Sequence, residues 1–425
     1  MFLNLAPLSS YSYFTSMPDD TDPRTASVGS AGSDDPRSDF SSWLDENWDP
    51  SSSLLSWRER LVDAGWAMPS WPTSHHGRDL PAWTDEMVKD ELTKRGAVGL
   101  APGAGTTLVA PTIREHAGKA LRHALLRSTM TGAASWCQLF SEPGAGSDLA
   151  GLSARAVRDG DRWIVNGQKV WSTSADHADY GLLLARTDPE APKHRGITCF
   201  VIPLQQPGVE VRPIRQMNDY SSFNEIFLTD AEVPGDSVLG EIGGGWSVAL
   251  SALHHERLFG GLGRPPIRDT SGRLFDEARK EAQEHMRTYQ WYPQRQGRVD
   301  LLPSALRAAG LDRDPVFRQE IARILSMQKI SEWTAQRAAS LRATDRPTGA
   351  ESSIGKLATS EIARSAARLH GMIAGVEGLL TGESAPQGGL IAEILTSFPA
   401  QSIAGGTDQI QKNIVAEKVL GLPRS

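Results

Sequence analysis

Apolar positions recur at helical spacing from residue 54 onward. Leu54, Trp57 and Leu61 stand at i, i+3 and i+7, with serines at 51–53 placed to cap them. Apolar and Ala-rich runs through Leu92, Leu121 and Leu126 extend the helical reading to about residue 134. Between Cys137 and Pro234 the period becomes strand-like. Runs at 153–157 and 162–165 flank Arg158-Asp159-Gly160-Asp161, a hairpin signal, and Asn166-Gly167 predicts a further turn before 169–172. Short apolar runs at 180–185, 196–204, 209–214 and 224–228 complete a set that reads as a small sandwich or barrel. After the glycines at 243–245 helices return. Asp314-Pro315 caps one that runs to about residue 343, an Ala-rich helix spans about 352–372, and Thr407-Asp408 opens a last one that stops at Gly421 and Pro423. The pattern predicts an α+β, multi-domain chain: an N-terminal helical domain over 42–134, a middle β domain over 135–238 and a C-terminal helical bundle over 239–425.

The N-terminal residues stand apart. Residues 1–14 lack a basic n-region and an Ala-x-Ala site, so they do not read as a signal peptide. Residues 18–41 are rich in Asp, Ser, Pro and Gly, which predicts a disordered extension over 1–41, and the polar run opening at Met17 suggests that residue as the natural start. A net charge of −7 over 425 residues argues against a nucleic-acid reader. No run of 18 apolar residues occurs, so no membrane-spanning helix is expected. With only Cys137 and Cys199, a reduced cytoplasmic protein is the simpler expectation, a single disulfide the alternative. The glycines at 103 and 105 precede no Gly-Lys-Ser/Thr and are expected to form a turn.

Two segments carry specific chemistry: Trp136-Cys137-Gln138-Leu139-Phe140-Ser141-Glu142-Pro143-Gly144-Ala145-Gly146-Ser147-Asp148, and Asn166-Gly167-Gln168-Lys169-Val170-Trp171-Ser172-Thr173-Ser174. Alone, the first could be a Gly-rich turn and the second a strand with a buried Trp. Together, and followed by Ile403-Ala404-Gly405-Gly406-Thr407-Asp408-Gln409-Ile410-Gln411, they resemble the signatures of acyl-CoA dehydrogenases, a resemblance that covers nearly all of residues 52–424. It implies a helical N-terminal domain, a middle β-barrel, a C-terminal four-helix bundle, FAD, an acyl-CoA substrate and a tetramer. An electron-transfer flavoprotein or similar acceptor is the implied redox partner. A flat flavin ring needs polar donors at its edge and an aromatic wall against water. By match to the family, Gln138, Phe140 and Ser141 line the ring, Trp171 packs against it and Thr173 bonds near N5. Gly146 and Ser147 approach cofactor and pantetheine, and Thr407 and Gln409 hold the phosphate or ribityl region at a helix N-terminus. A plain N-cap is the alternative role of Thr407.

The reaction also needs a base for the α-proton. Many family members carry Glu just before the Gly-Thr pair, where this chain has Gly405; isovaleryl-type relatives place it in the first bundle helix, which here gives Glu256. A solvated or salt-bridged helix Glu is the alternative, and Asp408 is the nearest other acid. Arg257 matches a CoA-contacting position, with a surface ion pair as its alternative. His254 and His255 lack companions for a metal site, so no metal is expected. The family's Arg-x-x-Phe-Gly motif, which reaches across a subunit interface to the FAD pyrophosphate, is replaced by Met286-Arg287-Thr288-Tyr289-Gln290-Trp291 and a polar insertion to Leu311; Gln319 aligns with an FAD-contacting Gln. Because the family's FAD site is shared between chains, the helix over 405–420 and residues 290–298 are expected at subunit contacts. Three readings remain open: a homomeric dehydrogenase using Glu256, a half-site or non-catalytic partner in a mixed tetramer, and a flavin enzyme with other chemistry. Segments 185–189, 192–197 and 223–225 resemble actinobacterial-type members, some acting on branched or sterol side chains, which suggests a bulky acyl group.

Overall fold

The computed structural model describes residues 35–259, 267–343 and 350–423; the expected disorder before residue 35 and the Met17 start lie outside the described residues. Contacts divide the chain into two compact units. The first takes the described residues up to 135 together with 251–283, and the second takes 136–250 with 284 onward. Residues 251–283 thus group with the N-terminal helices, and residues from 284 onward group with the strands.

The first unit contains α1 (Pro36–Asn47), α2 (Leu54–Asp63), α3 (Trp83–Arg95), α4 (Ala110–His116) and α5 (Lys119–Thr131). Helix α1 begins inside the segment expected to be disordered. Asp35 caps it, Pro36 fits its first turn, and Phe40 and Leu44, four apart, are buried. The Asp and Ser content had hidden that apolar pair. In α2 the stripe of Leu54, Trp57 and Leu61 is buried as the spacing predicts, and the Ser53 hydroxyl accepts from the Ser56 N–H. The core is aromatic: Trp57 lies 5.8 Å from Trp43 and 4.7 Å from Trp48, which also meets Phe275 at 5.9 Å. Buried Arg58 makes two 2.7 Å bonds to Glu281, tying residues 251–283 to this unit.

The second unit holds β1 (Trp136–Leu139), β2 (Arg155–Asp159), β3 (Arg162–Thr173), β4 (Tyr180–Arg186), β5 (Ile197–Pro203), β6 (Val209–Ile214), β7 (Phe223–Pro234) and β8 (Val238–Leu239). They pair in the order β6-β7-β3-β2-β4-β5-β8, with β1 parallel beside β4. A single residue pair, Arg155 with Arg186, joins β2 to β4. The halves on either side of it share one core, in which Val165, Ile226 and Val233 lie with Leu183, Phe200 and Ile202, so the sandwich reading holds. The hairpin at 158–161 forms as expected. Asn166-Gly167 is not a turn: β3 runs through it with a register shift against β7, because Gly167 opens a bulge rather than a reversal. Cys137 and Cys199 are buried and free on β1 and β5, and burial raises both thiols, Cys137 to about 12.

The chain continues through α6 (Gly245–Phe259) and α7 (Arg273–Tyr289) to α8 (Tyr292–Arg295), α9 (Leu302–Ala308), α10 (Pro315–Ala343), α11 (Glu351–Ala374), α12 (Leu390–Ser397) and α13 (Asp408–Lys418). The three helices expected after residue 313 are α10, α11 and α13. Helices α10 and α11 close over Ile324, Ile362, Ala366 and Leu369. The loop between β6 and β7 is fastened to α12: the Tyr220 hydroxyl donates to Glu393 at 2.9 Å and the Asn218 amide donates to Ser397 at 2.9 Å.

Candidate functional site

The loop after β1 is tied to β3 residue by residue. The Ser172 hydroxyl donates to the Gln138 carbonyl at 2.9 Å, the Val170 N–H to the Ser141 carbonyl at 2.9 Å, and the Lys169 ammonium to the Phe140 carbonyl at 3.1 Å and Glu142 at 2.8 Å. Lys169 is wholly buried and Glu142 nearly so; the carboxylate also accepts from the Ser153 N–H and hydroxyl and the Ala154 N–H. Burial pushes the Lys169 ammonium down to about 8, against the pull of Glu142. Burial acts to raise the Glu142 carboxyl, yet the Lys169 charge and the N–H donors bring it below its usual value. Removing one partner of such a pair typically costs about 3–5 kcal/mol, whereas replacing both by apolar groups is often neutral.

Of residues 169–172 only Trp171 faces outward. It is 57% exposed and sits at φ +62°, in the left-handed region, where β3 slips register against β7. For a bulky L-residue that backbone costs about 1–2 kcal/mol. The indole borders a groove of about 430 Å³ lined by Pro143, Val170, Ile214, Arg215 and Glu225 among others. It meets Phe223 edge-on at 5.8 Å, and Phe223 meets Trp291 at 6.1 Å. At the start of the same loop the buried Gln138 Nε2 has no hydrogen-bond partner.

The end of that loop reaches the closing turn: the Ser147 and Thr407 hydroxyls are 3.5 Å apart. Thr407 is the N-cap of α13, accepting from the Ile410 N–H at 3.3 Å, so the plain capping role is real. Gly405 and Gly406 both have positive φ, and the buried Gln411 amide braces them by donating to the Gly405 carbonyl at 3.1 Å. Asp408 is buried and engaged, 3.1 Å from Arg364 and 3.7 Å from Lys356.

The structure thus brings Gln138, Phe140, Ser141, Trp171 and Thr173 onto one loop–strand frame, and Ser147 to Thr407. Gly146 and Ser147 are exposed on the loop, and Gln409 is exposed on the first turn of α13. Gln319 is exposed near the start of α10 and is not among the groove residues. Glu256 lies partly buried on α6, beside His255, which sits 3.0 Å from Glu115 of α4. The Arg257 side chain lies outside the described residues. Among the described residues no three His, Cys, Asp or Glu side chains gather as a metal site. Residues 290–298 are partly packed within their own chain: Trp291 is fully buried and donates to the Ser222 hydroxyl at 3.0 Å, and Arg295 donates to Gln401 at 2.8 Å, while Gln290 and Gln296 are exposed. Sequence reasoning also passed over Glu142, Lys169 and Gln411. Period two places Lys169 on the same inward face as Trp163 and Val165, and a cation there demands a buried anion.

Comparison with known proteins agrees with this frame. Residues 137–231 match the acyl-CoA dehydrogenase middle domain, and residues 306–420 match its C-terminal domain. The chain is 32% identical over 377 residues to acyl-CoA dehydrogenase IpdE1 of Mycobacterium tuberculosis, which covers 87% of this chain and 88% of that protein. The chain belongs to the acyl-CoA dehydrogenase family. It is also 35% identical over 367 residues to acyl-CoA dehydrogenase FadE34 of the same organism, covering 86% of this chain but 46% of that relative, so it spans about half of FadE34's length. Among solved structures it resembles the Tcur3481-Tcur3483 steroid ACAD, with TM-score 0.64 and 24% identity, covering 92% of this chain and 97% of that one. The ChsE4-ChsE5 complex from Mycobacterium tuberculosis gives TM-score 0.62 and 25% identity over the same shares. As an acyl-CoA dehydrogenase the chain is an FAD-dependent oxidoreductase. No helix among the described residues is long and apolar enough to cross a membrane.

The residues present fit a flavin. An indole that the fold leaves bare supplies an apolar face, and an unsatisfied buried amide at Gln138 supplies a donor. Two hydroxyls at the start of a helix offer a place for a phosphate. At Gly146 an added Cβ meets nothing within 4 Å, so that part of the loop is open to a ligand.

Proposed function

We propose that this acyl-CoA dehydrogenase oxidises a bulky or branched acyl-CoA to its trans-2-enoyl-CoA, with the flavin against Trp171 and Glu256 as the base. The bare, left-handed Trp171 carries the reading: a strained aromatic side chain that the fold leaves more than half exposed points to a ligand that covers it. FAD, when bound, supplies the acceptor for the hydride leaving the β-carbon. Gln138, Ser141 and Thr173 offer hydrogen bonds to the ring edge, with Phe140 in the same loop. Ser147 and Thr407 take the pyrophosphate, with Gly146 leaving room and Gln409 adjoining, and Ser147 also lies on the path of the pantetheine arm. Glu256 takes the α-proton. Gly405 offers no carboxylate, and Asp408 is committed to Arg364 and Lys356. Arg257 is assigned to CoA and Gln319 to a cofactor site completed by another chain. An electron-transfer flavoprotein or similar acceptor reoxidises the enzyme. A bulky acyl group is supported by the segments at 185–189, 192–197 and 223–225 and by the steroid named for the Tcur3481-Tcur3483 relative.

A second reading, a half-site partner in a mixed tetramer, is favoured by one observation. The Arg-x-x-Phe-Gly motif is absent, and Trp291 and Arg295 of the segment that replaces it are bonded within their own chain. The ChsE4-ChsE5 complex is a relative built from two different chains. One experiment separates the readings. The protein, purified alone, is mixed anaerobically with a panel of short, branched and steroid-side-chain acyl-CoAs. Bleaching of the flavin with the bulky members supports the first. A colourless protein that gains flavin only when co-expressed with a related chain supports the second.

A further inference from the structure

Buried inside the loop–strand frame is an ion pair that no reaction step uses. Lys169 and Glu142 are 2.8 Å apart and almost wholly out of solvent, and between them their side chains hold four further hydrogen bonds. Those bonds have a direction. Lys169 donates to Phe140 in the loop, and Glu142 accepts from Ser153 and Ala154, at the entry to β2. The loop carrying Gln138–Ser147 and the strand carrying Trp171 are thus fixed to each other through this pair.

The neighbouring bonds sharpen the point. Val170 is held to Ser141 by its backbone, and Ser172 to Gln138 by its hydroxyl. Residues 169, 170 and 172 are therefore all committed inward to the loop. A strand pinned at both neighbours has one residue of slack between them, and that residue is Trp171, turned out at φ +62°. An extended strand would alternate, leaving Val170 as well as Ser172 on the outer face and turning the indole under the loop. The register shift between Lys169 and Ser172 is where that alternation is broken.

We infer that the Lys169–Glu142 pair is a positioning device for the cofactor: it holds the loop against β3 and so keeps Trp171 outward where the flavin is seated. The inference rests on the flavin reading given above. Lys169 and Glu142 are positioning residues that act through Trp171 and the loop, without touching the reacting atoms.

The test separates positioning from mere stability. In the full-length chain stripped of flavin, Lys169→Met alone leaves a buried carboxylate unpaired and lowers the melting temperature. The double variant Lys169→Met with Glu142→Met removes both charges and recovers most of that temperature, since apolar pairs replace buried ion pairs well. FAD affinity, read by flavin fluorescence titration of the folded protein, is expected to fall at least tenfold in the single variant and to stay at least tenfold weak in the recovered double variant. A double variant with both wild-type stability and wild-type FAD affinity overturns the inference, as does a folded single variant with unchanged affinity. Trp171→Ala in parallel reports on the underlying reading: unchanged affinity there removes the flavin from Trp171, whereas lost affinity there with unchanged affinity in the double variant removes only the positioning role.

Discussion

Trp171 sits in a backbone well that glycine enters freely and tryptophan does not. Two variants therefore part company. Trp171→Ala and Trp171→Gly both lose the indole and both are expected to purify with little flavin, seen as a low visible-to-ultraviolet absorbance ratio. The glycine variant is expected to be the more stable of the two by about 1 kcal/mol, since alanine keeps the left-handed strain; equal chemical-denaturation midpoints count against strain at this residue. The same backbone logic governs Glu256. Glu256→Gln is expected to slow flavin reduction by about 10²–10⁴-fold in stopped flow while acyl-CoA binding persists. Adding Gly405→Glu should restore part of the rate: a Cβ at Gly405 meets nothing within 4 Å, although φ +69° costs the new side chain about 1–2 kcal/mol. A wild-type rate in Glu256→Gln excludes it as the base. The motif residues were legible because they are contiguous in sequence. The Lys169–Glu142 contact joins side chains 27 positions apart, and only an inward cation in a two-residue period hinted at it.

The elements most easily read from the sequence are those with an unbroken period and a clear stop, as in α10, opened by Asp314-Pro315. Those misread had their signal overlaid. Polar composition concealed the start of α1. Asn166-Gly167 has hairpin chemistry, but β7 pairs with β3 on both sides of it, so pairing outweighs local preference. The segment 286–298 reads as polar because three arginines and three glutamines are interleaved with its rings, yet Trp291 among them is buried. The clamp between the β6–β7 loop and α12 yields a pH prediction. Burial, then the Glu393 carboxylate accepting its hydrogen bond, push the Tyr220 phenol up to about 12. A pKa raised in the folded state gives stability that is complete below the unfolded value of about 10 and is lost as pH rises through the folded one. Urea midpoints of the wild-type chain should thus fall between about pH 10 and 12 more steeply than those of Tyr220→Phe. Parallel curves would place the loop's hold on α12 elsewhere.

At the scale of the molecule, apolar surface remains after each unit has closed its own core. On α10, Val316, Leu325, Ile330 and Trp333 are exposed, and Val419, Leu420 and Leu422 follow α13. Large bare groups along one helix are what an assembled protein covers, in keeping with the tetramer that the family resemblance implies. Ile330→Glu with Trp333→Glu is expected to shift the sedimentation coefficient to that of a single chain; an unchanged value moves the interface away from α10. The two thiols carry a different consequence. Cys137 and Cys199 stand in strands on either side of β4, sealed from solvent and with no disulfide between them. A thiol reagent can reach them only while the sandwich is open, so the rate of modification is a clock for that opening. A ligand that binds only the closed form slows the clock by the factor one plus its concentration over its dissociation constant. The pair thus serves as a colourless gauge of cofactor occupancy, read from sulfur chemistry in the interior of the sheet rather than from the light the flavin absorbs.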